Sequence, residues 1–419
     1  MKKFILILLV FKITINLTGQ VIADHKVVDQ YDKIPQNWID SVKTMLVNVA
    51  GMSHAMGYYN GAELLEKLDP RFQVLIFTTE PIPGPSDQHL RLGRPYMAGS
   101  ENFYESPAAI ETWKEVHLNY GGRMNPYDVQ ALGWSYQTTW ENPPSGLEDP
   151  VFGVRWAGSS NGGLDGNKPW GLDREDSILT GNRVCMDTYL DAMEQYIDYS
   201  NESGLPTVML FSSGAVDGNG GTETGFQREL KNQHIREYVQ GKDYIYFFDY
   251  ADILVHSNEG ELHTENWNDD GDLRPHQQIH PENLLDYDDS FKKIRPKRDI
   301  HEDHIGDVGA LRIGKAFWWM LARIAGWDGT AATDQVANEM SSPRMKFVYK
   351  PDYHEIVIME NCSRGEIKIY NVLGELVKRE NLKEAVNSFN ISLLPLGAYL
   401  IVLSNDQVYQ VEKILKINN

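Results

Sequence analysis

Cysteine is nearly absent: Cys185 and Cys362 are the only two in 419 residues. Such a pair builds neither a disulfide framework nor a four-thiolate zinc site, and neither residue stands in a cysteine-protease nucleophile motif. Positive charge is also scarce, with 39 Lys and Arg against 59 Asp and Glu and a net charge of −20. Nucleic-acid recognition needs a basic surface to meet phosphate, so that class is excluded. Long apolar runs are missing as well. The run at 4–11 is interrupted by Lys12, far short of the roughly 20 residues of a membrane span, and no later stretch is long and apolar enough to cross a bilayer. What remains, 42% hydrophobic and 11% aromatic, is the composition of a globular protein with a large core.

Lys2 and Lys3 ahead of the short apolar run read as a secretory signal peptide, with cleavage between about Gly19 and Ala23. Residues 1–23 are therefore assigned to a leader, and the mature protein is expected to be exported and soluble. The charge is uneven. Residues 24–340 hold 26 basic and 50 acidic side chains, whereas 341–419 hold 10 and 9. The acidic surface belongs to the central unit, where no loop has the alternating Asp/Asn ligands of a calcium site.

Alternating segments follow at 345–348, 355–359, 366–370, 375–378, 389–391, 398–403 and 410–415, separated by turns such as Asn371-Val-Leu-Gly374 and Leu394-Pro-Leu-Gly397. Strands at this spacing predict a small antiparallel β-sandwich over 343–419. Gly365-Glu-Ile-Lys-Ile-Tyr-Asn-Val-Leu-Gly374, Ile391-Ser-Leu-Leu-Pro-Leu-Gly-Ala-Tyr-Leu400 and the terminal Lys413-Ile-Leu-Lys-Ile417 closely resemble the C-terminal sorting domain of the type IX secretion system of Bacteroidota. The resemblance implies delivery across the outer membrane and the secretion machinery as a partner. The polar stretch 331–342 is the linker.

The central unit, 24–330, alternates helical and strand-like segments. Strands are expected at 44–50, 73–77, 206–211 and 244–249, and helices at 34–41, 62–68, 187–203, 228–239 and 308–325. This pattern predicts a three-layer α/β domain with a mainly parallel sheet. Reactive groups in such sheets gather at the strand C-terminal ends. Four loops carry candidates: 49–57 with Ser53 and His54, 131–140 with Gly133, Trp134 and Gln137, 211–218 with Gly214 and Asp217, and 299–306 with Asp299, Asp303 and His304.

A serine after the first strand and a histidine before the last helix is the order of catalytic residues in the SGNH (GDSL-like) hydrolases. Ile34-Pro-Gln-Asn-Trp-Ile39, Ser53-His54, Gly158-Ser-Ser-Asn-Gly-Gly163, Gly214-Ala-Val-Asp-Gly218 and His304-Ile-Gly-Asp-Val-Gly-Ala-Leu-Arg312 resemble secreted bacterial relatives of that family. The pattern departs from it in places. Gly51-Met-Ser53 replaces Gly-Asp-Ser-Leu, and the Gly-x-Asn-Asp block is absent, its nearest counterparts being Asn161 or Ser213-Gly214. His301 stands where the acid is usual, so Asp299, Glu302 or Asp303 must orient His304.

The resemblance implies a serine esterase, with Ser53 as nucleophile, His304 as base and Asp303 or Asp299 as the acid. Gly133, Gly214 and Asn161 are candidate oxyanion groups, and Gly51 and Gly57 are further glycines that let backbone approach a substrate. His54, Trp134, Gln137 and Asp217 are candidate substrate contacts. Trp134, Tyr136, Trp140, Trp156 and Trp170 lie in irregular, glycine-rich stretches suited to sugar stacking, which points to acylated extracellular carbohydrate. No cofactor is expected. His276, His280, His301 and His304 come with no His-x-x-x-His on a helix, so no metal is expected either. Two other functions fit the same residues: a catalytically silent glycan-binding protein, and a polysaccharide-cleaving enzyme that uses acidic residues.

Overall fold

The computed structural model describes residues 20–51, 53–78, 82–93, 107–118, 127–133, 170–181, 183–204, 207–218, 220–288, 294–296 and 304–330, and in the tail 347–350, 355–358, 365–371, 376–382, 388–404 and 409–416. The chain divides into two compact units, Met1–Thr333 and Asp334–Asn419.

The first unit is built on a seven-stranded sheet of β1 (Val21–Ala23), β2 (Leu46–Gly51), β3 (Val74–Phe77), β4 (Leu90–Gly93), β5 (Val129–Gly133), β6 (Val208–Ser212) and β7 (Tyr246–Phe248). The order is β1-β7-β6-β5-β2-β4-β3 and every pairing is parallel. The helices are α1 (Gln36–Lys43), α2 (Met56–Leu68), α3 (Pro107–Trp113), α4 (Ser177–Thr180), α5 (Met186–Glu202), α6 (Glu223–Val239), α7 (Tyr250–Val255) and α8 (Asp307–Ile324). Side chains alternate across a strand, so each strand feeds two cores. Val47, Val49, Ala131, Leu210 and Phe248 join the apolar cluster of α1, α2, α7 and α8. Ala50, Leu132, Met209, Phe211 and Phe247 join that of α3, α5 and α6. The unit is α/β in three layers, with a parallel sheet between two helical faces.

Helix α8 is buried along most of its length, with Phe317, Trp318, Trp319, Met320 and Leu321 consecutive in the core. A helix of that character has neighbours on every side rather than one face on the core. It packs against α2 so closely that a Cβ on Gly314 would lie 2.2 Å from the Gly61 carbonyl oxygen. Only glycine permits backbones to meet at that distance.

Three strands differ from the sequence expectation. Val21–Ala23, inside the range read as a leader, pair with Tyr246–Phe248 in the sheet. Three residues joined to an apolar leader carry no periodicity that would separate strand from leader. Val129–Gly133 form β5 with its last three residues inside the stretch read as a loop, because Val-Gln-Ala-Leu-Gly mixes a buried amide with small residues. Strand β4, Leu-Arg-Leu-Gly, is four residues with a buried arginine and was not expected at all.

Two hairpins, β8 (Thr264–Asp269) with β9 (Asp272–Gln277) and β10 (Leu285–Tyr287) with β11 (Ile294–Pro296), lie between α7 and α8. The second unit holds β12 (Phe347–Lys350), β13 (Glu355–Ile358), β14 (Gly365–Asn371), β15 (Leu376–Leu382), β16 (Ser388–Asn390), β17 (Gly397–Ser404) and β18 (Tyr409–Lys416). They form antiparallel sheets β12-β13-β16 and β15-β14-β17-β18. Ile356 and Phe389 from one sheet share a cluster with Ile367, Ile369, Ile401 and Ile414 from the other. Each of the seven strands overlaps a segment expected from alternation. No helix among the described residues is long and apolar enough to cross a membrane.

Candidate active site

Strands β2 and β5 are neighbours at the point where the sheet order reverses: β3 and β4 lie on one side of β2, and β5, β6 and β7 follow on the other. Open parallel sheets place ligands outside the strand C-terminal ends at such a switch point. Ser53 stands there. Strand β2 ends at Gly51 with φ +128°, and the tight turn Ser53–Ala55 leads directly into α2. The glycines make this turn possible. A Cβ on Gly51 would lie 2.0 Å from the Gly133 carbonyl oxygen, and one on Gly133 would lie 2.6 Å from the Ala55 Cβ. Gly57 is backed in the same way by the Tyr250 hydroxyl. The missing side chains of Gly51, Gly57 and Gly133 thus seat protein on protein; the space was expected to serve a substrate.

His304 arrives from the other end of the chain. Ile305 behind it is buried in the core, and the Gly306 N–H donates to the Asn283 carbonyl oxygen at 2.8 Å before α8 begins. Held on both sides, His304 adopts φ +62°, a conformation few non-glycine residues take. The result is a contact across 251 positions of sequence: His304 Nε2 lies 3.1 Å from Ser53 Oγ. Close packing of α2 on α8 carries the two residues together, since each precedes the N-terminus of one of those helices.

His54 flanks this pair. Its ring is 4% exposed, sits 5.1 Å from the His304 ring at 30°, and meets Tyr250 edge-on at 6.2 Å. A serine hydroxyl beside an imidazole nitrogen can be deprotonated as it attacks a carbonyl carbon, which is nucleophilic acyl chemistry.

The loop after β6 is committed elsewhere. The Gly214 N–H donates to Asn232 Oδ1 at 2.7 Å, so it is not free to serve an oxyanion in this conformation. Asp217 forms an ion pair with Arg228 at 3.2 Å, the two side chains being 5% and 1% exposed, and therefore braces the loop against α6. Trp170 is wholly buried among Trp113, Leu172 and Tyr189, so it packs in the core and offers no face to a sugar. Asn161, Trp134, Gln137, Asp299 and Asp303 lie outside the described residues, as do Tyr136, Trp140, Trp156, His301 and Glu302. Sequence reasoning missed Tyr250, whose only signal is its place directly after the last strand of the sheet.

Residues 351–417 match the family model of the secretion system C-terminal sorting domain. The tail is a sorting domain. It spans β13 to β18 of the second unit and marks the chain for type IX secretion, with attachment at the cell surface and the secretion machinery as a partner. No curated protein sequence matches the chain.

Proposed function

We propose that the central unit, 24–330, is an SGNH-like serine hydrolase, an esterase that removes acyl groups from extracellular carbohydrate. The observation that carries the proposal is the 3.1 Å contact of His304 Nε2 with Ser53 Oγ at the switch point of the sheet. In this reading His304 Nε2 takes the hydroxyl proton as Ser53 Oγ attacks the ester carbonyl. His304 returns the proton to the leaving sugar oxygen, and water then hydrolyses the acyl-serine by the same path. The Ser53 amide opens the turn into α2. The first amides of a helix have no intrahelical acceptor, which suits them to a developing oxyanion. Asp303 or Asp299 orients the imidazole. A leader cleaved between about Gly19 and Ala23 and the sorting tail bring the enzyme to polymers outside the cell.

Ser53→Ala is the direct test. Turnover on p-nitrophenyl acetate and on acetylated polysaccharide should fall by about 10³-fold or more, with KM and melting temperature unchanged. His304→Ala should cost as much, and the double variant little more, because nucleophile and base act as one unit. Undiminished activity in Ser53→Ala would sink the mechanism.

A further inference from the structure

A second group of polar side chains lies away from Ser53, where the N-terminal strand meets α7. His25 follows β1, Asp252 stands in the first turn of α7, and His256 stands four residues on at its C-terminal end. His25 Nδ1 lies 2.5 Å from Asp252 Oδ2, and its backbone N–H donates to the same oxygen at 2.9 Å. His256 Nδ1 lies 3.5 Å from Asp252 Oδ1 and 2.8 Å from the Asp252 carbonyl oxygen. The two imidazoles stack at 3.6 Å, tilted by 19°.

We propose that His25, Asp252 and His256 form a binding site for a divalent transition-metal ion of the zinc type, which clasps the N-terminal strand to α7. One ligand atom from each residue lies within 4.8 Å of the others. Tetrahedral zinc with bonds of about 2.0–2.1 Å needs ligand atoms roughly 3.3 Å apart, so on binding the His25–Asp252 pair opens and the two stacked rings turn their nitrogens toward one point. Two imidazoles and one carboxylate suit zinc, cobalt or nickel, whereas calcium and magnesium want oxygen alone.

Both Nδ1 atoms face oxygens of Asp252. A single dication would take both nitrogens and the carboxylate together and displace the protons that bridge them.

The scaffold is rigid and reachable. The Asn283 amide donates to the carbonyls of Leu254 at 2.7 Å and His256 at 2.9 Å, and the Asp249 N–H donates to the Ala23 carbonyl oxygen at 2.9 Å. The three side chains are 18%, 18% and 12% exposed, enough for an ion to enter from solvent. With three protein ligands, the remaining position goes to water.

The test is equilibrium dialysis of the tag-free full-length chain against zinc chloride, read as bound metal per chain. One equivalent should bind and raise the melting temperature. His25→Ala and His256→Gln should each weaken binding by about ten-fold or more. Ser53→Ala should bind as the wild type does. Cobalt in place of zinc should give the visible d–d absorption of a nitrogen and oxygen site, absent in both histidine variants. Two results would overturn the proposal: no bound equivalent with zinc in excess, or unaltered binding in His25→Ala and His256→Gln. The first would make the trio a hydrogen-bonded clasp; the second would place the metal on other residues.

Discussion

Gly51 illustrates how much a site can depend on an atom that is not there. At φ +128° an L side chain is strained, and its Cβ would fall 2.0 Å from the Gly133 carbonyl oxygen. Gly51→Ala must therefore separate β2 from β5 or bend the turn that presents Ser53. The expected cost is about 3 kcal/mol or more, combining backbone strain with overpacking, read as a shift in the urea midpoint. Esterase activity should fall further than stability at a temperature where the variant is still folded, because the strand end and the turn move together. A variant as stable and active as the parent would show that the two strand ends are not packed as described. Asp217 teaches a related lesson. Its position after a strand made it a candidate substrate contact, but spacing cannot reveal that Arg228, eleven residues on, is buried against it. Arg228→Ala would remove the buried counter-charge of that carboxylate and should cost about 3–5 kcal/mol, measured by chemical denaturation.

At the level of elements, His276 of β9 packs on Phe226 of α6, and His280 in the segment after the hairpin donates its backbone N–H to Leu254 of α7. Gln278 Nε2 lies 3.0 Å from His276 Nε2, an arrangement that requires the ring nitrogen to accept, while His276 Nδ1 faces the Arg274 carbonyl oxygen at 3.4 Å. His280 Nδ1 accepts from the Glu282 backbone N–H at 3.3 Å. Burial pushes both imidazoles below their ordinary value of 6.5, more than their neighbouring acceptors and acids raise them. The sign of the consequence follows. Between the depressed folded value and 6.5 the unfolded chain binds more protons, so stability is whole above about pH 6.5 and is lost as pH falls through the folded values. Unfolding midpoints measured from about pH 7.5 to about pH 5.5 should decline, and His276→Gln, which cannot titrate, should flatten part of that decline. An identical slope in His276→Gln would assign the decline to other groups. None of this was legible beforehand: the histidines were weighed as metal ligands from their clustering in sequence, whereas hydrogen bonds and burial decide their charge.

The whole molecule is two folding units with separate cores. Deleting 334–419 removes the sorting domain and none of the α/β core. The truncated protein should keep the melting temperature and esterase activity of the central unit while failing to reach the cell surface, measured by fractionation and immunodetection. Surface delivery of the truncated chain would show that another segment directs its export. The acidic charge of 24–340 stays with the central unit in this experiment, so solubility should survive the deletion.

The sequence by itself determined what depends on local order: alternation and glycine turns laid out every strand of the tail, and the long periodic helices α5 and α8 were legible to within a residue or two. It also singled out Ser53 and His304, through their places after a strand and before a helix. Short elements escaped it unless an apolar run marked them, as at β3 and β7. β1, β4 and β5 are three to five residues each, and a run that short has no period of its own; the neighbouring strand confirms it by pairing. Trp170 reads as a loop aromatic until the core closes over it. Only the tertiary structure decided that residues 251 positions apart share a hydrogen bond, and that His25 meets Asp252 and His256. Contacts of that kind arise where packed helices and paired strands bring distant segments together, and that geometry exists only once the sheet has formed.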